Sequence, residues 1–436
     1  MFFITISVGL IFVAHYLNDN DLTVKTNTCL SWLTAIILCL IANNIGKAQC
    51  PTTTLDPFSG NVIELTSQTD VDDFCTAPFG CTVLPFGVSL LIEDDNDGID
   101  DITNLDGLSC LTSIGSELTI RRNDMLTDIS DFSNLTSVGG DVVIRFHEIL
   151  TDISGFSNLT TIGGDLDIGG VNNALIDISG FSNLTSVENL SISGNAALTD
   201  ITNFPSLTNI GVSLVISFNA ALTEIIGFSN ITSIGAVTIS DNATLTGITG
   251  FSNLTNIGLF TITDNSALTD LTGFSNLTSI GGGGMRIIDN GALTNLTGFS
   301  NLTSVGFVLS VIRNATLTDI TGLSNVSSVG GALAIFENPL LSDCCALCAL
   351  ISEDEMDDSV IRGIIIVENN NTGCNNQADI ETCSPCTRQD ESDDTVESIP
   401  TMGEWGLISL ALLLCIFGMI AIREGRIEDG LFSSEN

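Results

Sequence analysis

The stretch Leu150-Thr-Asp-Ile-Ser-Gly-Phe-Ser-Asn-Leu-Thr-Thr-Ile-Gly-Gly-Asp-Leu-Asp-Ile168 decides the fold. Its centre, Gly155-Phe-Ser-Asn-Leu-Thr160, returns in the same or nearly the same letters from Asp131 to Thr136, Gly180 to Thr185, Gly250 to Thr255 and Gly298 to Thr303. Ten such units of 23–25 residues run from roughly Gly107 to Leu350. A fixed period in that range means a stacked coil, in which each rung hides its apolar side against the next.

Two hydrophobic rhythms alternate inside each unit. Leu118-Thr-Ile120 has period two, the mark of a strand with one buried face, and it recurs as Leu166-Asp-Ile168, Leu190-Ser-Ile192 and Phe260-Thr-Ile262. Three residues further on stands a polar column: Asn123, Asn172, Asn195, Asn219, Asn242, Asn265, Asn290, Asn314 and Asn338. Apolar residues then fall every third place, as in Leu126, Ile129, Phe132, Leu135 and Val138. That step suits a wall of short bends better than a 3.6-residue helix. Stacked at strand spacing, about 4.8 Å, the rungs predict a rod roughly 50 Å long. Phe132, Phe156, Phe181, Phe204, Phe228, Phe251, Phe274 and Phe299 then form one internal file. An amide both donates and accepts, so the Asn column can bond its own turn and the neighbouring rung. A second column, including Asn134, Asn158, Asn183 and Asn253, follows the same logic. Its members also spell glycosylation sequons, which the period already explains. The expected fold is mainly β: a right-handed parallel β-solenoid with disulfide-rich caps and terminal hydrophobic helices.

Leu-x-Ile-x-x-Asn resembles the leucine-rich-repeat core. The whole unit looks more like the receptor L domain of growth-factor receptors and its bacterial relatives. That resemblance covers about 260 residues and implies a ligand-binding or adhesion scaffold.

The formal charge is −41, and the only two lysines, Lys25 and Lys47, precede the repeats. Nucleic acid and anionic membrane surfaces are therefore poor partners. Residues 23–49 read as an export signal: Lys25, an apolar core over 30–42, and a small-x-small site at Gly46-Lys-Ala48. The apolar stretch 1–17 before it fits a misplaced start, with a second membrane segment as the alternative. At the other end, Ile399-Pro400-Thr401-Met402-Gly403-Glu404-Trp405-Gly406 leads into the apolar run 407–422 and then Arg423 and Arg426. This resembles the Ile-Pro-Thr-Leu-x-x-Trp-Gly sorting tail of Gram-negative bacteria, with Met402 in the Leu position. The resemblance implies a C-terminal membrane helix and a sorting peptidase of exosortase type; a plain anchor is the alternative.

Export makes disulfides the expected state of Cys50, Cys75, Cys81, Cys110, Cys344, Cys345, Cys348, Cys374, Cys383 and Cys386, which cluster at the two ends of the solenoid. Cys345-x-x-Cys348 and Cys383-x-x-Cys386 also have zinc spacing. The pairing does not follow from sequence. Residues 93–101 resemble an Asp-x-Asp-x-Asp-Gly calcium loop, with Glu93, Asp95, Asp97 and Asp101 as candidate ligands and Asn104 where the bidentate Glu belongs. An ordinary solvent loop is the other reading. Asp128, Asp152, Asp177, Asp200 and Glu224 share a column, resumed at Asp270, Asp319 and Asp343. Neighbours there repel by about 1 kcal/mol in water, so a solvated stripe needs no metal, although loosely held divalent cations remain open. Arg121 and Arg145 stack in adjacent rungs beside Arg122, a basic patch able to bind a ligand carboxylate or sulfate, or to pair with local acids.

No catalytic constellation stands out. His147 replaces the ladder Asn of its rung, and no nucleophile elbow, phosphate loop or His-metal pair occurs. The strand-centre column Thr119, Asp167, Ser191, Val215, Thr238, Thr261, Arg286, Ser310 is too irregular for an ice-binding array. The organisation expected is a leader over 1–48, a cap with the acidic loop over 49–106, the solenoid over 107–350, a Cys-rich cap over 351–388, an acidic linker over 389–398, the sorting segment over 399–426 and a tail over 427–436. The function expected is a secreted or surface-anchored, non-catalytic scaffold for a surface glycan or protein ligand; a polysaccharide-acting enzyme on a β-helix is the alternative.

Overall fold

The computed structural model describes residues 61–75, 82–94, 102–202, 204–351, 361 and 363–383. The leader, Cys50, Cys81, Asp95, Asp97, Asp101, Cys386 and the whole sorting segment lie outside them.

Each repeat lays one strand against the next, and together they build a fifteen-stranded sheet in which every pairing is parallel. The described residues therefore form a parallel β-solenoid. Leu118 faces Val142, Leu166, Leu190 and Leu214 in turn, so like residues meet like along the stack. The ladder reaches past the ten repeats. Asn61–Leu65 and Val88–Glu93 join it at one end and Ile365–Glu368 at the other, in segments expected to be caps. Register explains why the sequence period missed them: Leu90 pairs with Leu118 and Leu333 with Ile365, steps longer than the 23–25-residue period.

The period-three segment forms a second wall. Short 3-10 turns such as Ser130–Asn134, Ser154–Asn158 and Thr272–Phe274 carry the buried Phe inward. All eight Phe of that file are fully buried. Successive rings stack at 5.2–6.3 Å between centroids, with planes within 18°. Burial of each contributes roughly 1.5–3 kcal/mol. Leu108, Leu323 and Leu347 continue the file where Phe is absent.

The Asn ladder is buried and saturated. Asn242 Nδ2 donates to Ile216 O at 3.1 Å and to Ser240 O of its own turn at 2.9 Å. Its Oδ1 accepts from Asn219 N at 3.1 Å. The ladder continues to Asn370, beyond the last repeat. One feature is absent from the sequence reading: most strands end in a left-handed residue that is not glycine, including Arg122, Phe146, Phe218, Asp241, Asp264, Asp289 and Arg313. Its N–H still reaches the next rung, as in Asp264 N to Ile288 O at 3.1 Å, and the reversal turns the following Asn inward. At Ile168 the step to the ladder Asn is four residues, not three. The extra residue leaves Val171, β-branched and exposed, at φ 84°.

Both ends are stapled. Cys75–Cys110 ties the helix Gln68–Asp73, capped by Ser67, to the first turn. Cys344–Cys374 and Cys345–Cys383 close the other end. Cys348 is disulfide-bonded as well.

Candidate functional site: the outer face of the parallel sheet

On the turn wall, polar side chains are used to hold rungs together. Asn158 Nδ2 donates to Ser133 O at 2.7 Å, and Asn183, Asn253, Asn276 and Asn301 repeat the bond with their preceding rungs. The sequon amides are thus structural donors. Thr136, Thr160, Thr185, Thr255, Thr278 and Thr303 each donate a hydroxyl to the backbone carbonyl one rung back, at 2.9–3.1 Å. Sequence reading passed over these threonines, although their strict recurrence after Asn-Leu was the available signal.

The acidic column has a similar task. Asp152 Oδ1 accepts from Ser154 N at 2.6 Å, Asp270 from Thr272 N at 2.7 Å, and Asp319 from Thr321 N at 2.7 Å. Each carboxylate caps the 3-10 turn that follows it, as a short acceptor does at a helix start. Hydrogen bonds from Ser130 hold the Asp128 carboxyl below its usual range. Where Glu224 and Gly247 stand, that short acceptor is missing; the two-residue strands Glu224–Ile225 and Gly247–Ile248 form there, and plain turns follow in place of the 3-10 helix. Backbone N–H groups then bond the previous rung directly, as in Ile226 N to Ile201 O at 2.9 Å. Asp200 shares this three-stranded sheet; Pro205 after Phe204 disfavours a helical turn there.

The candidate ligands of the acidic loop part company. Both oxygens of Glu93 are held by guanidinium groups, Oε2 by Arg121 and Oε1 by Arg122, each at 2.7 Å. A calcium ion bound through Glu93 would have to displace both. Asn104, at the twelfth position of the expected loop, instead accepts from Asp106 N at 3.2 Å and caps the first turn. The basic patch is matched by the protein's own acids, since Arg145 pairs with Asp167. Arg122 also lies 5.8 Å from the Phe146 ring centre. Zinc spacing is likewise overturned at Cys345, Cys348 and Cys383, which are disulfide-bonded; their sulfurs offer no thiolate, although Asp343 lies beside Cys345 and Cys383.

His147 is fully buried within the Asn ladder. Its Nδ1 lies 3.3 Å from Asn123 O and its Nε2 3.1 Å from Ile120 O, and burial pulls its pKa below the ordinary value. It replaces a ladder amide and reaches no solvent-facing recess.

The sheet wall differs in kind. Its outward side chains also link rungs in places, as in Arg145 to Asp167 and Ser193 Oγ to Ser217 Oγ at 2.9 Å, but no one residue type recurs there and the positions change along the molecule. Glu64, Glu93, Glu117, Arg121, Arg145, Asp165 and Asp167 make the first rungs charged. Ser191, Ser193, Ser217, Thr238, Ser240, Thr261 and Thr263 make the middle a field of hydroxyls. Ile288, Ile312, Ala334, Phe336 and Ile366 make the last rungs apolar. A recess of about 160 Å³ opens at the charged end between Val62, Ser89, Leu91, Glu117 and Arg121.

Residues 397–424 match the family model described as the IPTL-CTERM motif. This match contains Ile399, Pro400, Thr401, Trp405 and Gly406, so the C-terminus carries a sorting motif that suggests export to the cell surface. No curated protein gives a significant match. Among solved structures, the crystal structure of a TLR13–ssRNA13 complex is similar at 14% identity and a TM-score of 0.22, over 70% of this chain and 61% of that one. The chain thus spans less than two thirds of that structure's length. No helix among the described residues is long and apolar enough to cross a membrane.

Proposed function

We propose that this chain is a secreted or surface-anchored, non-catalytic binding or adhesion scaffold of receptor L-domain type, and that its ligand lies across the outer face of the parallel sheet. One observation carries the reading. Turn-wall polar groups repeat and are spent on neighbouring rungs, whereas sheet-wall positions vary from charged to hydroxyl to apolar while the backbone ladder runs on through them. Variation on a rigid ladder is how repeat scaffolds encode a ligand. The sorting motif supports display at the surface, with residues 407–422 as a single membrane pass and an exosortase-type peptidase acting on the tail. The ligand is a surface glycan or protein.

A glycan array and a surface-protein pull-down with the purified protein test this reading, alongside a depolymerisation assay on any glycan that binds. Saturable binding without product release is expected. Turnover that co-purifies with the protein and survives further purification would replace the scaffold with an enzyme.

A further inference from the structure

Five arginines and no lysine occur among the described residues, and four of those arginines are matched by carboxylates. Arg313, the fourth, holds Asp289 at 2.6 Å. Arg286 differs. It points outward from the strand Ser279–Ile288, half-buried, and its Nη1 donates to Gly283 O at 2.9 Å. No carboxylate among the described residues lies within ion-pair distance of it. Burial alone pulls its pKa below the ordinary value, with no acidic neighbour raising it. The guanidinium still carries its charge at neutral pH.

The chain spends extra residues on this position. Between Ile280 and Met285 stand four glycines, two residues more than between Ile257 and Phe260 one rung earlier, and the pairing shifts register there. The bulge supplies the Gly283 carbonyl that holds the side chain. Gly284 closes it at φ 78°, where a Cβ would meet Val308 O at 2.5 Å. Arg286 is thus held by backbone, and most of its five N–H donors have no partner among the described residues.

We propose that Arg286 is the recognition point for a single carboxylate carried by an otherwise neutral saccharide lying across the sheet face. This rests on the sheet-face reading above and names its ligand class. Thr261 and Ser310 flank Arg286 on the adjacent strands, and Thr238 stands one rung beyond. Ser310 is buried, but the half-buried Thr261 and Thr238 hydroxyls suit sugar hydroxyls, and half-buried Leu259 and Ile288 can take the apolar face of a ring. The strands already pair on both sides here, so an added peptide strand has no free backbone edge to join. A net charge of −41 repels a polyanion, which limits the ligand to an isolated acidic group.

The probe is glucuronosyl-xylose, titrated calorimetrically into the full chain and compared with its carboxyl-reduced neutral analogue and with an acetylated tetrapeptide bearing a free C-terminal carboxylate. The wild type should bind the acidic disaccharide, and Arg286→Gln should weaken binding about tenfold or more, with partial recovery in Arg286→Lys and unchanged unfolding in both. The neutral analogue should bind the wild type as weakly as the acidic disaccharide binds Arg286→Gln. No binding by the wild type, equal binding of the neutral analogue, or tighter binding of the peptide would each overturn the ligand class. A bulky change two rungs away, Thr238→Trp, separates the two ideas. Loss of binding in Thr238→Trp but not in Arg286→Gln would remove Arg286 and leave the sheet face standing. Binding untouched by either variant would remove both.

Discussion

The two walls of this solenoid face the same core and the same water, yet they use polar residues in opposite ways. On the turn wall, Asn, Thr and Asp recur at fixed places, and their donors and acceptors are consumed by neighbouring rungs. On the sheet wall the backbone ladder does most of that work, so the outward side chains need not repeat, and only scattered pairs such as Arg145–Asp167 link rungs. The difference teaches where to look for recognition in a repeat protein: at the positions that break the pattern on the wall that does not need it. Within the turn wall there is a smaller contrast. A short acceptor at Asp152 or Asp270 gives a capped 3-10 turn, whereas Glu224 or Gly247 gives a strand, while the buried Phe keeps its place in both.

The core is common to both kinds of rung, so it should respond equally in both. Phe156→Ala, beside a capped turn, and Phe228→Ala, beside a strand, should each cost about 3–5 kcal/mol in urea unfolding. Costs that differ by more than half would mean that the two kinds of rung do not share one core. Next come the caps. Asp270→Ala should lose about 1 kcal/mol, because Thr272 N loses its acceptor, while Glu224→Ala should lose less than about 0.5 kcal/mol. Equal losses would show that the carboxylate does not select the turn.

His147 sharpens the account of the ladder between the walls. Burial depresses its folded pKa, so between that value and about 6.5 the unfolded chain binds a proton that the native chain does not. Stability is therefore fully present above about 6.5 and falls as pH drops through this window, by up to about 1.4 kcal/mol per pH unit. Urea midpoints at pH 7.5 and 5.5 should show the loss attributable to His147 in the wild type and not in His147→Asn, which restores the amide. The smallest effect concerns the strand end. Val171→Gly should stabilise by about 1 kcal/mol, since it relieves a β-branched residue at φ 84°.

How far each feature was legible follows from what its pattern repeats. Phe132 to Phe299, Leu118 and Ile120, and the ladder from Asn123 to Asn338 announce themselves because an inward side chain must match its neighbours above and below. The capping role of Asp152 was not legible: a column of acids looks the same whether it binds water, a metal or its own turn. The partners of Glu93 were hidden for a related reason. Its spacing suits a calcium loop, but the parallel register sets it opposite Arg121, which no local motif encodes. The end strands Asn61–Leu65 and Ile365–Glu368 escaped because extra residues lie between them and the regular rungs. Arg286 appeared only as an irregularity in a column; that it lacks a carboxylate partner among the described residues is a three-dimensional fact.

The most direct measurement sets the walls against each other. Using a ligand from the array, affinity and unfolding midpoint should be measured together for Thr238→Trp on the sheet wall and Asn253→Ala on the turn wall. The account predicts that Thr238→Trp abolishes binding and leaves the midpoint unmoved. Asn253→Ala, which loses its 2.7 Å bond to Ser229 O, should lower stability by about 1 kcal/mol and leave binding intact. Binding lost in Asn253→Ala and retained in Thr238→Trp would place recognition on the other wall and contradict it.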